Sequence, residues 1–192
     1  MSTAEYIATF ASIVVGLAFT DLLTSLHRLM RARRTVQWDW LPIGAALLVV
    51  LGIVQVWWRF YVIWTAQSEY TFGQFLPDLL SLTLLFFLAA AALPDDQSGA
   101  GVNLREYYDE NRGYFWGLFV AYILVVTLNR VARTTGFNAS LSELIRPNLT
   151  NLISMLLMVV LIFTRRRWIH GAVILTSLAF LTMNWVRLSI AG

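Results

Sequence analysis

LPIGAALLVVLGIVQVWWRFYVIW, running from Leu41 to Trp64, carries a single charged residue, Arg59. A helix rises ~1.5 Å per residue, so about 20 such residues cross the roughly 30 Å hydrocarbon layer of a bilayer. Working outward from it, five more stretches have the same character. They run from about Tyr6 to Leu26, Leu76 to Leu93, Tyr114 to Leu128, Asn148 to Phe163 and Trp168 to Leu188. The chain as a whole agrees: 58% of its 192 residues are hydrophobic and 13% charged. Its mean hydropathy is +0.67. Soluble domains carry roughly a quarter charged residues, so a chain this apolar has too little polar surface to cover a water-facing globule. The expected fold is all-α, an integral membrane bundle of about six transmembrane helices with span one packed centrally. The linkers are too short for a separate soluble domain, so residues 1–192 read as a single transmembrane domain.

The charge balance locates the ends of the spans. The 14 basic residues are all arginine, as in proteins of GC-rich bacterial genomes, and the expected location is a bacterial inner membrane. The first linker holds Arg28, Arg31, Arg33 and Arg34, the third Arg105 and Arg112, and the fifth Arg165, Arg166 and Arg167. Cytoplasmic loops carry the positive excess, so both termini are expected in the periplasm, although Arg130, Arg133 and Arg146 lie in the fourth linker. No basic region precedes the first apolar stretch, which is therefore expected to stay as a span and not to serve as a cleaved signal. Trp38, Trp40, Trp64, Trp116, Trp168 and Trp185 fall near span ends and read as an interfacial belt.

Two linkers carry helix-start signals, a polar cap followed three residues later by Glu. Asn103-Leu104-Arg105-Glu106 predicts a short helix bearing Tyr107 and Tyr108 that runs into span four. Ser140-Leu141-Ser142-Glu143 predicts a short periplasmic helix that ends near Pro147.

Candidate functional residues concentrate in span one. At ~100° per residue, Thr9, Ser12, Gly16, Thr20, Thr24, His27 and Arg31 share one stripe. Ser12, Gly16 and Thr20 recur every four residues, the small-xxx-small pattern that lets membrane helices approach closely. The stripe is expected to avoid lipid, either as a helix-packing seam or as a pore lining. Asp21 flanks it, close in direction to Arg28. A carboxylate in a span costs roughly 2.5–3.5 kcal/mol on insertion scales and normally faces the bundle interior. It reads as an ion or proton site, or as a structural partner of Arg28, Arg165 or His170. In span two, Gly52, Gln55 and Arg59 share a face, and Arg59 lies roughly 15 Å from Asp21 in depth. Arg59 is expected to meet Glu5 or Asp78, or to snorkel outward. Asn129 and Arg130 place further polar groups at that level.

The remaining chemistry is restricted. With no cysteine, disulfides, thiolate metal sites and cysteine nucleophiles are excluded. His27 and His170 lack metal-ligand spacing, and no cofactor fingerprint, nucleophile elbow or nucleic-acid module occurs. No metal, cofactor, catalytic residue or nucleic-acid partner is therefore expected. Arg28, Arg31, Arg33, Arg34, Arg165, Arg166 and Arg167 are expected to attract anionic lipid headgroups, and a homo-oligomer is expected.

Gly16-Leu17-Ala18-Phe19-Thr20-Asp21-Leu22-Leu23, His27-Arg28-Leu29 and Leu104-Arg105-Glu106-Tyr107-Tyr108 resemble segments of uncharacterised small bacterial six-span inner-membrane proteins, a likeness that implies no established activity. Phe19-Thr20-Asp21 also resembles the end of the Arg-x-x-x-Phe-Ser-Asp motif of six-helix lysosomal and bacterial potassium channels, and Trp57-Trp58 their second span. The arginine position is Val15 here, and the triplet falls late in the span. Two function classes follow. One is an ion channel or transporter contacting its ion through Asp21, Thr20, Ser12, Thr24, Gln55 and Arg59. The other is a non-catalytic membrane anchor or interaction subunit that uses Ser12, Gly16 and Thr20 for packing.

Overall fold

The computed structural model describes residues 3–65, 71–95, 101–134 and 140–187. Among these it is an all-α bundle of six helices: α1 (Thr3–Arg31), α2 (Trp40–Thr65), α3 (Phe72–Ala92), α4 (Leu104–Thr134), α5 (Leu141–Phe163) and α6 (Arg167–Arg187). The first five are long and apolar enough to cross a membrane, while the apolar stretch described for α6, Arg167–Met183, is shorter.

Helices α1, α3, α4 and α5 form a row in which each packs along the next, and α2 packs on α1, α3, α4 and α6. The central helix is therefore α2, not α1 as expected. The reason lies in burial on α1: Ala11, Val15, Ala18, Leu22, Ser25 and Leu29 are its buried residues. Their spacings of three and four make one narrow face, enough for the edge of a bundle. In contrast, α2 and α6 approach closely at two glycines. A Cβ on Gly44 would lie 3.1 Å from Ile174, and one on Gly171 would lie 2.6 Å from the Trp40 ring.

Linkers one, three and five meet at one end of the bundle. A parallel pair of two-residue strands, β1 (Val36–Gln37) and β2 (Val102–Asn103), joins the first linker to the third. Gly101 enters this pair at φ +88, where a Cβ would stand 2.8 Å from the Thr35 carbonyl oxygen; only glycine takes that conformation without strain. The fifth linker joins through Arg167, whose guanidinium bonds the carboxylates of Asp39 and Asp109. Asp39 also caps α2, accepting from the Leu41 N–H at 2.9 Å. The strict alternation of ends expected from the arginines is thus present, and nine of the 14 arginines fall at this linker end by position.

Of the two helix starts expected in the linkers, the first runs into span four as expected, and the second needs correction, as does the place of Trp116. Asn103 does cap a helix, accepting from the N–H groups of Arg105 at 3.1 Å and Glu106 at 3.3 Å. That helix is α4 itself, continuous from Leu104. Trp116 consequently sits ~18 Å inside α4 and is 0% exposed; it belongs to the core, not to an interfacial belt. Ser140 starts α5, with its N–H donating to Glu143 Oε2 at 2.8 Å. The helix does not stop at Pro147 but continues to Phe163. Proline inside a membrane helix is tolerated where side chains and neighbouring helices satisfy the local backbone. Asn148 Nδ2 donates to the Leu144 carbonyl in this turn at 2.8 Å.

Candidate functional site

Polar side chains gather at both ends of the bundle, and an apolar layer that includes Val49, Ile53, Leu82, Leu85 and Phe115 lies between them.

At the linker end a buried chain of hydrogen bonds fastens three helices. Trp116 Nε1 donates to the Tyr108 hydroxyl at 3.1 Å. Tyr108 and His170 Nδ1 are 2.7 Å apart, and His170 Nε2 is 3.0 Å from the carbonyl oxygen of Thr164, the residue that ends α5. A carbonyl only accepts, so Nε2 carries the ring hydrogen. Nδ1 then accepts from Tyr108, whose oxygen in turn accepts from Trp116. Every donor runs the same way and every polar atom is satisfied. With both ring nitrogens engaged, His170 presents no lone pair to a metal, and His27 is exposed at the end of α1. Among the described residues no three His, Asp or Glu side chains form a metal-holding group.

Asp21 is half-buried nearby, and the charges acting on it are Asp95 and Arg28. Asp95 itself accepts from the Ser25 hydroxyl, and its backbone carbonyl accepts from Arg28 at 3.4 Å. Of the partners expected for Asp21, the structure brings Arg28 close; His170 is spent on Tyr108 and Thr164. Asp21 and Arg59 lie at opposite ends.

The opposite end holds an open cleft between α2, α3 and α4. Asp78 is its buried centre. Its Oδ1 accepts from Asn129 Nδ2 at 2.6 Å and its Oδ2 from Arg133 at 2.8 Å. Arg133 also bonds Asn129 Oδ1 at 3.0 Å and the Gln74 carbonyl at 2.9 Å. Arg59 and Arg130 line the same cleft. Asp78 therefore shares a wall with Arg59, as depth suggested, while its ion pair is made to Arg133. Gln55 is half-buried one turn from Arg59 and is not part of the lining.

The stripe on α1 lies on neither site. Ser12, Gly16, Thr20 and Thr24 are exposed, and a Cβ on Gly16 would meet nothing within 4 Å. At ~100° per residue the stripe centres roughly 160° from the face that packs on α2 and α3. Within one chain, then, these residues are not drawn into the bundle interior. Their hydroxyls are also distinctive. Thr9, Thr83 and Thr176 donate to the carbonyl four residues back at 2.7–2.9 Å. Ser12, Thr20 and Thr24 make no hydrogen bond within the described chain.

Sequence reasoning named Asp78 and Asn129 singly and missed the Asp78–Asn129–Arg133 cluster. The i, i+4 spacing of Asn129 and Arg133 was its available signal. It also missed the Trp116–Tyr108–His170 chain, which no local pattern marks. Compared with protein-family models, with curated proteins and with solved structures, the chain matches none of them.

Proposed function

We propose that the chain is a self-assembling, non-catalytic subunit of a multi-pass membrane complex, in which the outer face of α1 packs on α1 of a second copy. The supporting observation is the outward stripe of Ser12, Gly16, Thr20 and Thr24, with three hydroxyls that have no partner inside the chain. Lipid offers such hydroxyls nothing, whereas a second helix offers both close backbone approach at Gly16 and interhelical hydrogen bonds. Each of those is worth about 0.6 kcal/mol on average and up to roughly 1.7. A two-fold contact uses every residue of the stripe twice. Replacing Gly16 with Ile in purified protein is expected to shift the assembled species to monomer while the helix content stays unchanged. A Gly16→Ile protein that assembles like the wild type counts against the seam.

The membrane proposed is a bacterial inner membrane with the linker end cytoplasmic and both termini periplasmic, in accord with the nine arginines at the linker end. Arg28, Arg31, Arg33, Arg34, Arg165 and Arg166 are exposed there and suit anionic headgroups. Arg167 is committed to Asp39 and Asp109.

A channel is the second reading, with its path between copies. It is favoured by the half-buried Asp21 at the edge of the seam beside Thr24. Ion flux in liposomes that changes in Asp21→Asn supports it, and folded protein without flux leaves only the assembly role.

A further inference from the structure

We propose that the cleft between α2, α3 and α4 is a binding site for one phosphate-class oxyanion, gripped by the Arg59 and Arg130 guanidiniums. The first ground is charge. Three arginines line the cleft, Arg59, Arg130 and Arg133, against one carboxylate, Asp78. Both oxygens of Asp78 are engaged, by Asn129 and Arg133. The other described acids at this end, Glu5 and Glu143, are not in the lining, and Glu143 is bonded to the Ser140 N–H. Among the described residues, the cleft lining thus carries two more positive charges than negative ones.

Depth is the second ground. Arg59 lies ~9 Å before the end of α2, Asp78 ~9 Å past the start of α3 and Arg130 ~6 Å before the end of α4. The charges therefore share one level, inside the helix ends and not out on the linkers. Holding a cation there is costly without an anion, and of the cleft's arginines it is Arg59 that makes no hydrogen bond or ion pair within the described chain. Guanidinium forks match phosphate oxygens in a bidentate manner.

The shape of the cleft is the third. Below the charged level the lining is Val56 and Val126 with Ser81, and Tyr122 lies deepest by its place in α4, while Phe60 stands level with Arg59. An oxyanion at the mouth with an apolar body beneath it fits this gradient, as does a free oxyanion that occupies the mouth alone. The recognition chemistry is the same for both sources.

The test uses full-length protein, delipidated in non-ionic detergent, titrated with short-chain phosphatidylglycerol, short-chain phosphatidylcholine and inorganic phosphate. Tryptophan emission reports binding, since Trp57 and Trp58 adjoin Arg59. Saturable binding of phosphatidylglycerol, with Arg59→Gln and Arg130→Gln each weakening it by about tenfold or more, is the expected result. Arg105→Gln, at the linker end, leaves it unchanged, and Arg59→Lys falls between wild type and Arg59→Gln. Binding of inorganic phosphate with the same dependence on Arg59 identifies a free oxyanion as sufficient; response to phosphatidylglycerol alone identifies a lipid. The proposal is overturned if folded protein binds neither, or if Arg105→Gln weakens binding as much as Arg59→Gln does.

Discussion

Removing one oxygen atom from Tyr108 should be among the most damaging conservative changes the chain can suffer. In Tyr108→Phe the ring still fills its place, but the Trp116 indole N–H loses its acceptor and His170 Nδ1 loses its donor. These residues are 0% and 1% exposed, so neither finds water. A buried polar atom left unsatisfied costs about 1–3 kcal/mol, so two give about 2–6 kcal/mol before relaxation. A tautomer change at His170 offers no escape, because Nε2 must keep its hydrogen for the Thr164 carbonyl. The control sits next door. Tyr107→Phe removes a single hydrogen bond, to the Ala91 carbonyl at 3.1 Å, worth about 0.5–1.5 kcal/mol. The assay is reversible unfolding in mixed micelles as the SDS fraction rises, followed by far-UV circular dichroism. Tyr108→Phe should lose clearly more stability than Tyr107→Phe, and combining it with Trp116→Phe should cost less than the sum of the two. Equal losses for the two tyrosines would refute the one-directional hydrogen-bond chain.

Two glycines that both appear crowded should respond differently. Gly101→Ala combines positive φ with a backbone oxygen 2.8 Å from the new Cβ, and should cost about 1–2 kcal/mol and open the first and third linkers to protease. Gly171→Ala presses on the far edge of the Trp40 ring and touches Leu41 at an ordinary 3.8 Å; Trp40 is 55% exposed and has room to swing. It should shift tryptophan emission with a loss below about 1 kcal/mol. Because the chain has no cysteine, single cysteines at Arg33, Arg105 and Arg166 can be labelled without background. All three should react from the same side of sealed vesicles and a cysteine at Ser142 from the other; a split among the first three would contradict the shared linker end.

The helices were legible because length and apolarity suffice to mark a span, and the Asn103 and Ser140 starts because capping chemistry is local. What was not legible was direction. A soluble helix announces its buried face by contrast with a polar one, but here the outer surface is as apolar as the core. Phe10, Leu17, Leu80, Leu156 and Met183 are exposed and look like interior residues in sequence. The stripe on α1 was visible as a face, yet nothing in its spacing says whether the partner belongs to the same chain. Trp116 was misplaced because the start of α4 was set about ten residues late, which moved an interior residue to the interface. Tyr108 and His170 are 62 residues apart, and no periodicity relates them. At the cleft, Arg59 and Asp78 could be matched by depth, but the choice of Arg133 as Asp78's partner depends on how α3 and α4 are turned toward each other.

Disulfide cross-linking in native membranes bears most directly on the assembly proposed through α1. Cysteines would be placed singly at Ser12, Gly16, Thr20 and, as a comparison on exposed α5, Leu156. Mild oxidation should convert the first three to covalent dimers and leave the Leu156→Cys protein monomeric. If the α1 positions stay monomeric in folded protein, or Leu156→Cys dimerises as readily as they do, α1 is not the seam.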